Sequence, residues 1–96
     1  MSRVYYTKDA EGDLDNIAEY TSTQWGKEQC AKYMDLLEQI CERIIPQNMR
    51  HARPVPQRPQ LQRWRCERHV VDFRGVRGGI EIACILHERM LPLSHL

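Results

Sequence analysis

The chain of 96 residues contains no run of eighteen or more apolar residues. No membrane-spanning helix, and so no membrane partner, is expected from it. The start, M-S-R-V-Y-Y-T-K-D, lacks the apolar stretch of a signal peptide, which makes a cytoplasmic protein the expectation. No cysteine pair stands in C-x-x-C spacing: Cys30, Cys41, Cys66 and Cys84 are scattered, and the nearest histidine to Cys66 is His69. That pattern predicts no metal and no cofactor, with reduced thiols packed as small hydrophobes. Cys30 and Cys41, eleven residues apart, are separated by about three helical turns and so share one helix face. Lysine is absent from the second half, no tyrosine follows Tyr33, and no internal repeat or low-complexity tract is visible. A length of 96 residues predicts one domain, 1–96, too small to bury a large share of its surface.

The net charge of +1 conceals an uneven distribution. Residues 1–46 hold five Lys/Arg against nine Asp/Glu, a balance of −4; residues 47–96 hold nine arginines against four acids, a balance of +5. An acidic half and an arginine-only half predict a dipolar molecule whose basic side meets something anionic. Arginine suits bidentate contacts with carboxylate or phosphate.

Local patterning predicts the elements in order. Arg3 to Tyr6 is a short β-prone run suited to a sheet edge. Thr7 can cap a helix that has Asp9, Glu11 and Asp13 in or near its first turn. Ala10, Leu14, Ile17, Ala18, Thr21 and Trp25 share one face of that helix, so Trp25 is expected in the core. Gly26 stops the helix. A second helix presents Cys30, Tyr33, Met34, Leu37, Ile40, Cys41 and Ile44, and Pro46 is expected to end it. The short link makes the pair an antiparallel hairpin. Residues 46–60 carry four of the five prolines and read as a partly extended loop. Leu61–Cys66, His69–Phe73 and Ile80–Leu86 follow as strands, with Glu67-Arg68 and Gly75, Gly78 and Gly79 marking the turns. The prediction is an α+β fold: an N-terminal strand, a two-helix hairpin, then a three-stranded antiparallel meander.

On the first of those strands Gln62, Trp64 and Cys66 alternate with Leu61, Arg63 and Arg65. If the face bearing Trp64 packs on the helices, the arginines point away from them. Arg63, Arg65 and Arg74, with Arg68 or Arg89, then form either a partner-binding cationic surface or an ordinary solvated one. Met90, Leu91 and Leu93 make an apolar tail that either folds back or meets a partner. His87 reads as a proton shuttle, a binding residue or a structural hydrogen-bonder at a strand end. His69 reads as structural or exposed, and His51 and His95 carry no pattern.

The stretch Ile80 to Leu96, I-E-I-A-C-I-L-H-E-R-M-L-P-L-S-H-L, resembles the ending of small toxins of the RelE/ParE superfamily. Further matches are Leu14, Ile17 and Tyr20 in a D-L-x-x-I-x-x-Y pattern, Trp25-Gly26 between the helices, and Gln29, Ala31 and Tyr33 at the second helix. Leu61-Gln62-Arg63 and His69 through Arg74 complete them. The resemblance spans about residues 3–96, and its ending is similar to the ParE branch. It implies a toxin that binds DNA gyrase, traps it on cleaved DNA and blocks replication. It also implies a cognate ribbon-helix-helix antitoxin that lays an extended and helical segment across sheet and helices, so that nucleic acid is met only indirectly. Arg63, Arg65, Arg74, Arg89 and Met90 are the partner-binding candidates. The alternatives are a RelE-like messenger-RNA endoribonuclease, which would use His87, Arg68 and Arg74, and a non-toxic binding module or co-repressor. Cutting RNA needs a general acid, a general base and phosphate-holding cations. The tail after His87 has no tyrosine, and the position resembling a catalytic arginine holds Val70, so that set is incomplete.

Overall fold

The computed structural model describes residues 3–91. Its first strand, β1 (Arg3–Tyr6), hands over to helix α1 (Lys8–Trp25) at Thr7. The Thr7 hydroxyl accepts from the Ala10 N–H at 3.0 Å and donates to the Ala83 carbonyl at 2.6 Å. One side chain thus caps the helix, as its residue type predicts, and fastens it to the sheet. Gly26, at φ 89°, ends α1 and begins α2 (Lys27–Gln39). This left-handed backbone suits glycine and lets the two helices follow each other directly.

Four strands follow the helices: β2 (Arg53–Val55), β3 (Arg58–Cys66), β4 (His69–Val76) and β5 (Gly79–His87). The sheet order is β1-β5-β4-β3-β2. β1 pairs in parallel with β5 and every other pairing is antiparallel. The meander and the added N-terminal strand are therefore as predicted, with β5 in the interior between β1 and β4. Gly79 permits the β1–β5 pairing, because a Cβ there would fall 1.8 Å from the Arg3 carbonyl oxygen. Ala83 is an extra residue in β5, since Asp72 lies opposite Cys84 and Phe73 opposite Ile82. Beyond β1 the open edge of β5 is finished from α1, where the Asp13 carboxylate accepts the Ile85 N–H at 2.8 Å.

The helices cover one face of the sheet. Phe73, Leu37, Ile45, Ile80, Ile82, Val71 and Cys41 are fully buried between the layers, and Trp64 packs against them. Cys41 and Cys66 lie in this core, where burial pushes their thiols up to about 12 and about 11.

Three local expectations are corrected. Trp25 is 70% exposed, not core. It is the last residue of an eighteen-residue helix that is about 27 Å long, and it lies past the apolar layer that covers Ala10, Ile17 and Thr21. Pro46 does not end the second helix. The chain passes through a π-helical turn, Ile40–Ile44, and a further α turn, Ile45–Gln47, before Asn48 stops it. The wider turn, in which the Ile45 N–H donates to the Ile40 carbonyl, makes room for a proline that lacks a donor and crowds the carbonyl four residues back. It also shifts the apolar stripe: Ile45 is buried, while Ile44 is 39% exposed. The segment 46–60 is more ordered than a loop, holding a 3₁₀ turn (Met49–His51), β2 and the first residues of β3. Gln57, at φ 65°, closes the β2–β3 hairpin. Pro54 fits because β2 is an edge strand, where a missing N–H is tolerated.

Candidate partner-binding surface

The turn Glu67-Arg68 sets the register of the cationic face. A two-residue link there puts Arg63 opposite Asp72 and Arg65 opposite Val70. Arg63, Arg65 and Arg74 accordingly lie on the sheet face away from the helices. Each meets an acid. The Arg63 guanidinium donates twice to the Asp72 carboxylate, at 2.7 and 2.9 Å. Asp72 is only 2% exposed, and the Arg63 side chain 14%. The bond to Asp72 raises the Arg63 pKa, so this cation stays charged. Arg65 pairs with Glu88, and Arg74 with Glu81 at 2.9 Å; both arginine side chains remain about half exposed. Cys84 Sγ lies 3.7 Å from Asp72, and burial first, then the charges of Asp72 and Asp13, push its thiol up to about 11.

The Arg63 guanidinium is thus held in a nearly sealed ion pair, and Arg65 and Arg74 are the more accessible cations of the three. Arg89 and Met90 sit in a 3₁₀ turn, Glu88–Met90, directly after β5. Both are exposed, Met90 at 68%. Leu91 is half-buried, whereas Leu93 and His95 lie outside the described residues. The His87 ring holds the start of the turn, its Nδ1 accepting from the Arg89 N–H at 3.0 Å.

Sequence reasoning missed the acids Asp72, Glu81 and Glu88, although the hairpin turns encode two of the pairings. It also missed Tyr33. Tyr33 Oη lies 2.6 Å from His69 Nδ1 and 3.4 Å from the Cys66 carbonyl. The His69 ring meets the His87 ring edge-on at 5.1 Å. Desolvation, then the neighbouring His87, lowers the His69 pKa. Burial raises that of Tyr33. No sequence spacing links residues 33, 69 and 87; the fold alone brings them together, on the helix-facing side of the sheet end. Of the residues a nuclease would use, His87 is on that side. Arg68 is near it, its carbonyl accepting the Glu88 N–H at 2.8 Å. Arg74 is on the other face and bound to Glu81. The three do not converge on one phosphate.

A family model described as the ParE toxin of the type II toxin–antitoxin system parDE matches residues 4–92. The chain is 36% identical to a Toxin ParE of Escherichia coli over 98 aligned positions, covering all of this chain and 94% of that protein. It is 35% identical to Toxin ParE1 of Caulobacter vibrioides over 88 positions, covering 91% and 90% respectively. Among solved structures, a chain from a chromosomal ParDE toxin–antitoxin system of P. aeruginosa superposes with a TM-score of 0.74 at 23% identity. That match covers 91% of this chain and 96% of that one, and it speaks for the fold.

Proposed function

The chain belongs to the ParE toxins of type II toxin–antitoxin systems, and from that premise we propose that it acts in the cytoplasm by binding DNA gyrase, without catalysis of its own. A cognate ParD-like ribbon-helix-helix antitoxin neutralises it. The observation that carries the non-catalytic reading is the separation of His87, beside His69 and Tyr33 on the helix side, from Arg74, bound to Glu81 on the other face of the sheet. Phosphodiester cleavage needs an acid–base group and cations around the same phosphate, whereas binding needs only a preformed surface. Residues 1–96 work as one toxin unit in this reading, with Arg65, Arg74, Arg89 and Met90 as the exposed contacts and Arg63 holding the sheet face in shape.

Supercoiling by purified gyrase tests the proposal. Added toxin is expected to stop supercoiling and leave cleaved DNA, and equimolar antitoxin is expected to restore activity. Normal supercoiling at excess toxin overturns it. The ribonuclease reading draws on the Tyr33–His69–His87 array. It predicts transcript cleavage on induction that disappears in His87→Ala, whereas a gyrase-directed toxin keeps its toxicity in that variant.

A further inference from the structure

Between Glu42 and Glu67 the chain holds six arginines and neither an acid nor a lysine. Arg43 lies among the acids Asp35, Glu38 and Glu42, and Arg63 and Arg65 have acids of their own on the outer sheet face. Arg50, Arg53 and Arg58 differ: they are exposed and make no ion pair among the described residues. The fold gathers these three at one margin of the sheet. Arg50 lies in the 3₁₀ turn that leads into β2, Arg53 begins β2, and Arg58 begins β3, opposite Val55 across the hairpin. Arg53 stands opposite Arg63, on the face away from the helices. Arg58 is near enough to that face for its charge to act on Cys84, which lies opposite Asp72 there.

Such a grouping is costly, because like charges set side by side on paired strands repel. Protecting the edge from strand pairing does not require it. Pro54 lies in β2, Pro56 in the turn and Pro59 in β3, and prolines already blunt an edge. The prolines also fix φ along the hairpin. The arginines therefore stem from a stiff backbone, and a ligand that binds them orders little of it. The choice of cation is informative too. A guanidinium offers a planar fork that fits two phosphate oxygens, whereas an ammonium is a point charge, and this stretch uses arginine alone.

We infer that this margin of the sheet grips the sugar–phosphate backbone of duplex DNA, with Arg50, Arg53 and Arg58 as the phosphate contacts. The inference rests on the gyrase reading above, because a toxin on gyrase sits beside the DNA that gyrase holds. It adds a direct contact where the resemblance implied only an indirect one. β2 is three residues long, too short to lie along a groove and read base edges, so the contact positions the toxin without selecting a sequence. An acidic peptide strand fits less well, since it meets an edge interrupted by Pro54. A phosphate needs only the guanidinium groups.

The test is the binding of full-length toxin to a fluorescein-labelled DNA duplex of mixed sequence, followed by anisotropy from about 50 to about 200 mM salt. Three phosphate contacts predict weak binding, with a dissociation constant of about 10⁻⁴ M near physiological salt. They also predict a log–log salt slope of about −2.7, a loss of about fortyfold across that range. Arg50→Gln/Arg53→Gln/Arg58→Gln is expected to bind about tenfold more weakly at the low salt and to lose most of the slope. Arg50→Lys/Arg53→Lys/Arg58→Lys keeps the slope, because it keeps the charges. Lys8→Gln/Lys27→Gln/Lys32→Gln removes the same charge from the helices, where all three lysines are exposed, and should bind within about twofold of the parent. Equal losses in the two glutamine variants mean diffuse charge and overturn the inference, as does tighter binding of a single-stranded RNA of the same length. Toxin that stops supercoiling but leaves the duplex unbound at low salt overturns it and leaves the gyrase reading standing. Supercoiling that continues at excess toxin removes both.

Discussion

Arg63 and Asp72 show how one pair can be encoded in the sequence yet be read from it only in part. Strand alternation places Arg63 on the outer face, and the two-residue turn places Asp72 opposite it. What alternation does not reveal is that the pair is nearly sealed. Removing one partner leaves a charge without its counter-ion, so Asp72→Asn is expected to cost about 3–5 kcal/mol by urea unfolding. The joint variant Arg63→Met/Asp72→Leu should recover most of that, because two apolar side chains remove the desolvation penalty with the charges. A single-residue test of the β5 edge is Asp13→Ala. It strips the Ile85 N–H of its acceptor and should cost about 1–3 kcal/mol. His69 gives a pH dependence. Its folded pKa is below its ordinary value, so the unfolded chain binds the proton more readily. The stability it supports is present above the ordinary histidine pKa of about 6.5 and is lost as the pH falls from there through the folded value. Melting temperatures at pH 7.5 and 5.5 should differ less in His69→Gln than in the parent.

At the scale of elements, cues confined to one turn could be read directly. Thr7, Gly26, Glu67-Arg68 and the glycines near residue 78 each fix a boundary by a local backbone requirement, and the structure uses all of them. Features set by tertiary context could not. Proline is a stop signal in isolation, but a π turn upstream absorbs it. Because that turn holds an additional residue, the buried stripe moves from Ile44 to Ile45, which a fixed helical period does not anticipate. The shift predicts a contrast between neighbours: Ile45→Ala should cost about 2–5 kcal/mol and Ile44→Ala no more than about 0.5 kcal/mol by urea unfolding. Equal costs would mean that the helix keeps its ordinary period. β2 escaped notice for a related reason. Three residues containing a proline make a poor strand by propensity, and only pairing with the longer β3 makes one of them. Tyr33 belongs to the same class, since its place in the site depends on how α2 crosses the end of the sheet.

At the scale of the whole molecule, the −4 and +5 halves of the sequence become two layers. α1 and α2 carry eight of the thirteen acids, and residues 53–87, the strands β2 to β5 with their turns, seven of the eleven arginines. The expectation of an anionic partner for the basic layer was drawn from that division; on the outer sheet face Arg63, Arg65 and Arg74 are each paired with an acid, while Arg65 and Arg74 stay about half exposed. On the helix side of the core Leu14 and Met34 are only partly covered. A chain of this size buries a limited fraction of its surface, and the proposed antitoxin is a partner for the folded state alone. Such a partner at a hundredfold excess over its dissociation constant stabilises by about 2.7 kcal/mol. For a domain of about 100 residues this corresponds to a rise in melting temperature of roughly 10–20 °C. Calorimetry of the toxin with and without excess antitoxin measures the rise directly.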